Sequence, residues 1–213
     1  MERALTITSK IISGIFTPFF IPIIAFLALF IFTYLWIMPI EYKLIILGIV
    51  ASFTIFLPIL LIFLFFKVSG MPVTDLRQRK HRFIPYILAI ISFAFCSLMM
   101  YRLSIPWYMN GIILTSILIM IVFLLINLKW KISAHTGGMG AIIGGIVSLA
   151  SVFNYNPVMP LCTLILIAGL VGSSRIILGR HTLNEVMSGF TVGLLCAVFV
   201  LHPIGNFISK YFY

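Results

Sequence analysis

Three short polar segments interrupt an otherwise apolar chain, and each carries residue types suited to phosphate. The first runs Ser174-Arg175, then through Arg180-His181 to Asn184-Glu185. His181 and Glu185 are four apart at a helix start, so they share a face. A carboxylate that accepts from one imidazole nitrogen fixes the tautomer and leaves the other nitrogen as a nucleophile. Arg175 ends an apolar helix, where a charge is costly unless it pairs or snorkels. By itself the segment reads equally as a surface His/Glu pair flanked by snorkelling arginines.

The second segment is Ser133-Ala134-His135-Thr136-Gly137-Gly138. Ser133 suits the N-cap of a helix. The free first-turn N–H groups and the positive end of the helix dipole form an anion site there, and His135 would stand beside it. The third is the basic cluster Arg77, Arg79, Lys80, His81 and Arg82. Arg79 and Arg82 are three apart and would face the same way on a helix. Their guanidinium groups match phosphate bidentately, although a basic run beside a membrane span also suits anionic lipid.

What must position these segments is a membrane bundle. The chain has 213 residues, is 62% hydrophobic and only 8% charged, with a mean hydropathy of +1.24. A soluble domain carries about a quarter of its residues as charges. There is too little polar surface here to face water. No alternating pattern of a membrane barrel is present, so the expected fold is an all-α, polytopic transmembrane helical bundle of six to seven spans. Apolar runs place them near 13–37, 43–66, 84–101, 109–128, 134–153, 159–177 and 184–203. Pro18 and Pro22 predict a bend or an interfacial turn in the first, and a re-entrant segment there would reduce the count to six. No cleavable signal pattern precedes that run. Connections are short except between Lys67 and Arg82, so residues 1–213 are expected to form a single integral-membrane domain.

Parity then sorts the loops. The loops after the second, fourth and sixth spans share face B, which collects all three polar segments. Face A holds the rest, including His202, read with Trp36 and Trp107 as an interfacial anchor. Gly137, Gly138, Gly140, Gly144 and Gly145 make the fifth span glycine-rich, a composition that lets helix backbones approach closely. Cys96, Cys162 and Cys196 have no paired spacing and read as small core residues.

With these segments in order, the chain resembles the type 2 phosphatidic acid phosphatase superfamily. Ser174-Arg175-x5-His181-x3-Glu185 is similar to that superfamily's third signature, Ser-Arg-x5-His-x3-Asp. Ile132-Ser133-Ala134-His135 is similar to its Pro-Ser-Gly-His. The basic cluster stands where its Lys-x6-Arg-Pro signature belongs, with Asp75 at the lysine's position and Pro85 three residues after Arg82. The resemblance implies a lipid phosphate phosphatase, hydrolysing a phosphomonoester or diphosphate headgroup through a phosphohistidine. It implies that His181 attacks phosphorus while Glu185 orients it, and that His135 protonates the leaving alkoxide and then activates water. Arg79, Arg82, Ser133, Ala134 and Arg175 would bind the phosphoryl oxygens, with no metal or other cofactor.

Other readings remain open at this stage. They are a lipid phosphotransferase, a non-catalytic lipid-phosphate binder or transporter, and a metal site of His135, His181 and Glu185. Nearby arginines disfavour the last. The expected partners are membrane lipids and a lipid phosphate or polyprenyl diphosphate substrate. The net charge of +10 is spread over short loops without a nucleic-acid motif, so nucleic acid is not expected. The expected location is a bacterial inner membrane, with the active face undecided. Of the fourteen lysines and arginines, all but Lys43, Arg102 and Lys210 fall on face B, which points face B to the cytoplasm. The resemblance implies an extracytoplasmic site.

Overall fold

A computed structural model describes residues 2–69 and 83–202. The described residues are helices and connecting turns: α1 (Glu2–Ile15), α2 (Ile21–Phe32), α3 (Ile40–Ala51), α4 (Leu57–Ser69), α5 (Phe83–Arg102), α6 (Trp107–Asn127), α7 (Ala134–Phe153), α8 (Val158–Ile177) and α9 (Leu183–Leu201). Helices α3 and α4 join through a π-helical turn, Ser52–Phe56, into one continuous run. Among the described residues six helical runs are long and apolar enough to cross a membrane, starting with Ile40–Ser69. The chain is therefore an integral, multi-pass membrane protein.

The first expected span, 13–37, is not one helix. Helix α1 stops at Ile15, the chain turns through Pro18, and α2 restarts with Pro22 in its first turn. Proline has no N–H to give, and in a first turn that N–H would have no partner within the helix anyway. Helix α2 spans twelve residues, yet it and the 3-10 turn Tyr34–Ile37 run along α7 from end to end. Ile21 lies against Gly138, and the Tyr34 ring stacks edge-on to Phe153 at 5.1 Å. The passage from face B to face A thus survives with a shorter helix, and α1 stays on face B beside the end of α8.

The π turn has an identifiable cause. The Leu57 N–H bonds the Ser52 carbonyl, one residue further back than in an α-helix. The carbonyl of Phe53 would next receive an N–H from Pro58, which has none. The Ser92 hydroxyl donates to it instead, at 2.5 Å. This satisfies a backbone acceptor that hydrocarbon could not.

One apolar cluster lies towards face A, where Phe26, Leu35, Val50, Phe93, Met100, Met109, Ile113 and Leu149 pack together, and a second, with Ile21, Met139, Ile143 and Val171, joins α2, α7 and α8. Cys96 and Cys196 are buried as expected, but Cys162 is exposed. It faces outward from α8, where a small thiol can meet lipid.

The tightest helix pair is α7 with α9. A Cβ on Gly140 would collide with the Phe190 backbone, one on Gly189 with the Ser133 carbonyl, and one on Gly193 with the Gly137 carbonyl. Lipid tails are as apolar as leucine, so close backbone packing rather than hydrophobic burial holds such helices together. The glycine-rich face of α7 thus has a specific partner, the Gly189-x3-Gly193 edge of α9.

Candidate active site

The α8–α9 turn explains the spacing of the first polar segment. Helix α8 ends in a Schellman motif: Gly179 N–H bonds the Ile176 carbonyl at 2.9 Å, and Arg180 N–H bonds the Arg175 carbonyl at 3.1 Å. Gly179 sits at φ +61°, a conformation that costs glycine nothing. Helix α9 then opens on a capping box. Thr182 is the N-cap, its hydroxyl accepts from the Glu185 N–H, and the Glu185 carboxylate accepts from the Thr182 N–H at 3.3 Å. Five residues between Arg175 and His181 are what one helix ending and the next beginning require.

Glu185 has a second task. Its Oε2 also accepts from His181 Nδ1 at 2.7 Å. The longer glutamate arm lets one oxygen serve both the helix cap and the imidazole. With Nδ1 as donor to a carboxylate, the proton sits there and the lone pair is on Nε2. His181 is buried, and burial pushes its pKa down to about 4. That value already includes an opposing rise from the Glu185 hydrogen bond and smaller falls from the positive charges of Lys131 and Arg175. At neutral pH the ring is uncharged.

The second segment is docked onto the first. The Ser133 N–H donates to the Glu185 carbonyl at 3.2 Å, and the buried Thr136 hydroxyl donates to the Val186 carbonyl at 2.9 Å. With the Gly189 approach, these bonds fix the start of α7 against the start of α9. Ser133 occupies the N-cap position of α7, but its side chain makes no cap bond. This corrects the expectation of a capping serine. The hydroxyl is wholly buried and has no hydrogen-bond partner, a costly state in a folded chain. The first-turn amides of α7, beginning with Ala134, have no acceptor within the helix.

His135 on α7, Arg175 on α8 and His181 in the α8–α9 turn line one cavity of about 390 Å³, together with Ala134. Its remaining wall is largely apolar, with Pro85, Ala89, Phe93, Ile119 and Phe123 from α5 and α6. The cavity therefore has a cationic, donor-rich end at face B and a hydrocarbon-compatible body reaching towards mid-bilayer. Arg175 is braced from α1, its Nη1 donating to the buried Ser13 hydroxyl.

Arg79 and Arg82, with the rest of the basic cluster, lie outside the described residues. Among the described residues no group of three His, Cys, Asp or Glu side chains is placed to hold a metal ion. Two contributors were missed in the sequence. Lys131 lies close enough to act on His181 and donates to the Arg180 carbonyl at 2.6 Å; its place two residues before Ser133 was the available signal. Ser13 had none, being 162 positions from its partner.

Helix ends, an arginine and a histidine held by a carboxylate are groups that can together receive a phosphate. Comparison with protein families agrees: the model described as the PAP2 superfamily matches residues 127–208. That stretch holds α7, α8 and α9 and the Ser133–His135 and Ser174–Glu185 segments quoted above, so the resemblance to the type 2 phosphatidic acid phosphatase superfamily holds there, and a phosphatase-type family is supported. No curated protein and no solved structure gives a match.

Proposed function

We propose that this protein is a lipid phosphate phosphatase of the bacterial inner membrane, working through a phosphohistidine without a metal. The observation that carries the reading is the joining of a cationic, donor-rich end and an apolar body in one cavity, lined by His181 whose Nδ1 is held by Glu185. A phosphate headgroup fits the first part and its hydrocarbon chain the second.

In this mechanism His181 Nε2 attacks phosphorus as the bond to the lipid oxygen breaks, and His135 gives its proton to that oxygen. Water then attacks the phosphohistidine, with His135 taking the water's proton, and the products are inorganic phosphate and free His181. Arg175, the Ser133 hydroxyl and the Ala134 amide neutralise the charge on the transferring oxygens. Arg79 and Arg82 are proposed to close over the same group. Glu185 keeps the attacking tautomer in place. The domain acting in this way is the whole chain, 1–213.

The depressed His181 pKa gives the reading a pH signature. The nucleophile is active when neutral, so the acid limb of kcat/KM is expected near pH 4, well below the ordinary 6.5. Activity that depends on this group persists as the pH falls through 6 and is lost on passing about 4. Glu185→Gln removes a group that favours the proton, so the limb moves lower still. A pH–rate profile with the limb at 6.5 would show that this imidazole is not the buried nucleophile.

The substrate chain is tested at Ala89, which is buried and lines the apolar body. Ala89→Phe is expected to lower kcat/KM for long-chain lipid phosphates at least about tenfold while sparing a short-chain phosphate monoester, since one buried ring displaces several methylenes. Equal losses for both would place the lipid chain elsewhere. Binding of lipid phosphate with no phosphate release from the wild-type protein would return the reading to a lipid carrier.

A further inference from the structure

A second recess, of about 580 Å³, lies on the other side of Arg175 from the cavity just described. Its walls are the polar side of α1, through Thr6, Lys10 and Ser13, and the α8–α9 turn with Arg180, with Lys131 from the approach to α7. Lys10, Lys131, Arg175 and Arg180 contribute four cations, and no carboxylate among the described residues lines it. Unlike the first cavity, this one is mostly polar.

The recess exists because α1 packs on α8, with Ser9 and Ser13 buried and Ser13 accepting from Arg175. The Lys131 bond to the Arg180 carbonyl keeps its ammonium at the rim. Converging cations repel one another, and a multivalent anion between them offsets the repulsion. Helix α1 lies outside the residues matched by the family.

We propose that the recess is a second phosphate subsite, contiguous with the catalytic one through Arg175. The inference rests on the phosphatase reading. The lipid chain occupies the apolar cavity, on the opposite side of Arg175, so what reaches the recess is not attached to that chain. It is either inorganic phosphate leaving for water or the phosphate of a neighbouring anionic lipid.

Equilibrium dialysis of the purified protein in zwitterionic-lipid nanodiscs against labelled inorganic phosphate tests this. Two equivalents per chain are expected, one at each subsite. The double variant Lys10→Ala/Arg180→Ala is expected to lose one equivalent and keep the other, the kept one showing that the chain is folded. Adding phosphatidylglycerol to the nanodisc distinguishes the sources. Loss of the second equivalent there identifies a lipid headgroup as the occupant, and its retention identifies freed phosphate. A single equivalent in the wild-type protein, or two that survive the double variant, overturns the proposal. Phosphate release from a lipid phosphate, measured on the same sample, reports separately on the phosphatase reading.

Discussion

Replacing His181 with alanine is expected to lower phosphate release from a lipid phosphate by about 10⁴-fold or more, the scale of losing a catalytic nucleophile. His181 lines the cavity with its Nδ1 held by Glu185, which leaves Nε2 to meet phosphorus. The imidazole is neutral at pH 7, and its removal leaves Glu185 still capping α9 through the Thr182 N–H. The fold should therefore be nearly untouched, with a stability change of about 1 kcal/mol from the lost hydrogen bond. Initial rates at matched protein amounts, read beside thermal midpoints in detergent, check both halves. A variant within tenfold of wild type would remove His181 from the chemistry.

The second large effect falls on a residue with no side chain. At Gly193→Ala the new methyl would enter the space of the Gly137 carbonyl. A backbone atom cannot rotate away as a side chain can, so the helices must part. Overpacking of this kind costs about 1–3 kcal/mol, and the separation carries Ser133 and His135 away from His181. Misplacement by about 1 Å can cost 10²-fold in rate, so activity should fall further than stability alone explains. Gly169→Ala is the control, because nothing lies within 4 Å of its added Cβ, and both readouts should stay near wild type. If Gly193→Ala matched that control in midpoint and rate, the α7–α9 seam would not be what aligns the site.

The α8–α9 turn was the most legible part of the sequence. Its information is local: a helix-ending glycine, an N-cap threonine and a glutamate three residues later dictate the backbone path, and the path sets the distance from Arg175 to His181. The six long helices were legible for a similar reason, since hydrocarbon demands apolar runs of a minimum length. The first passage was not, because α2 is short and is held by its packing along α7. The glycines of α7 announced close packing without naming α9, since a small residue shows that something approaches but not what. Ser133 stands at the N-cap where the sequence placed it, but nothing local showed that its hydroxyl would make no cap bond. Ser13 and Lys10 were beyond reach, because no local pattern links α1 to the end of α8. The basic cluster with Arg79 and Arg82 lies outside the described residues.

The account depends most directly on a covalent bond between His181 and phosphorus. Rapid quenching of wild-type protein during turnover of a ³²P-labelled lipid phosphate, followed by mapping of the labelled peptide, reads that bond. The account predicts label on the peptide containing His181, present in wild type and absent from His181→Ala. Steady phosphate release with no protein-bound label at any quench time, or label on a different residue, would contradict it.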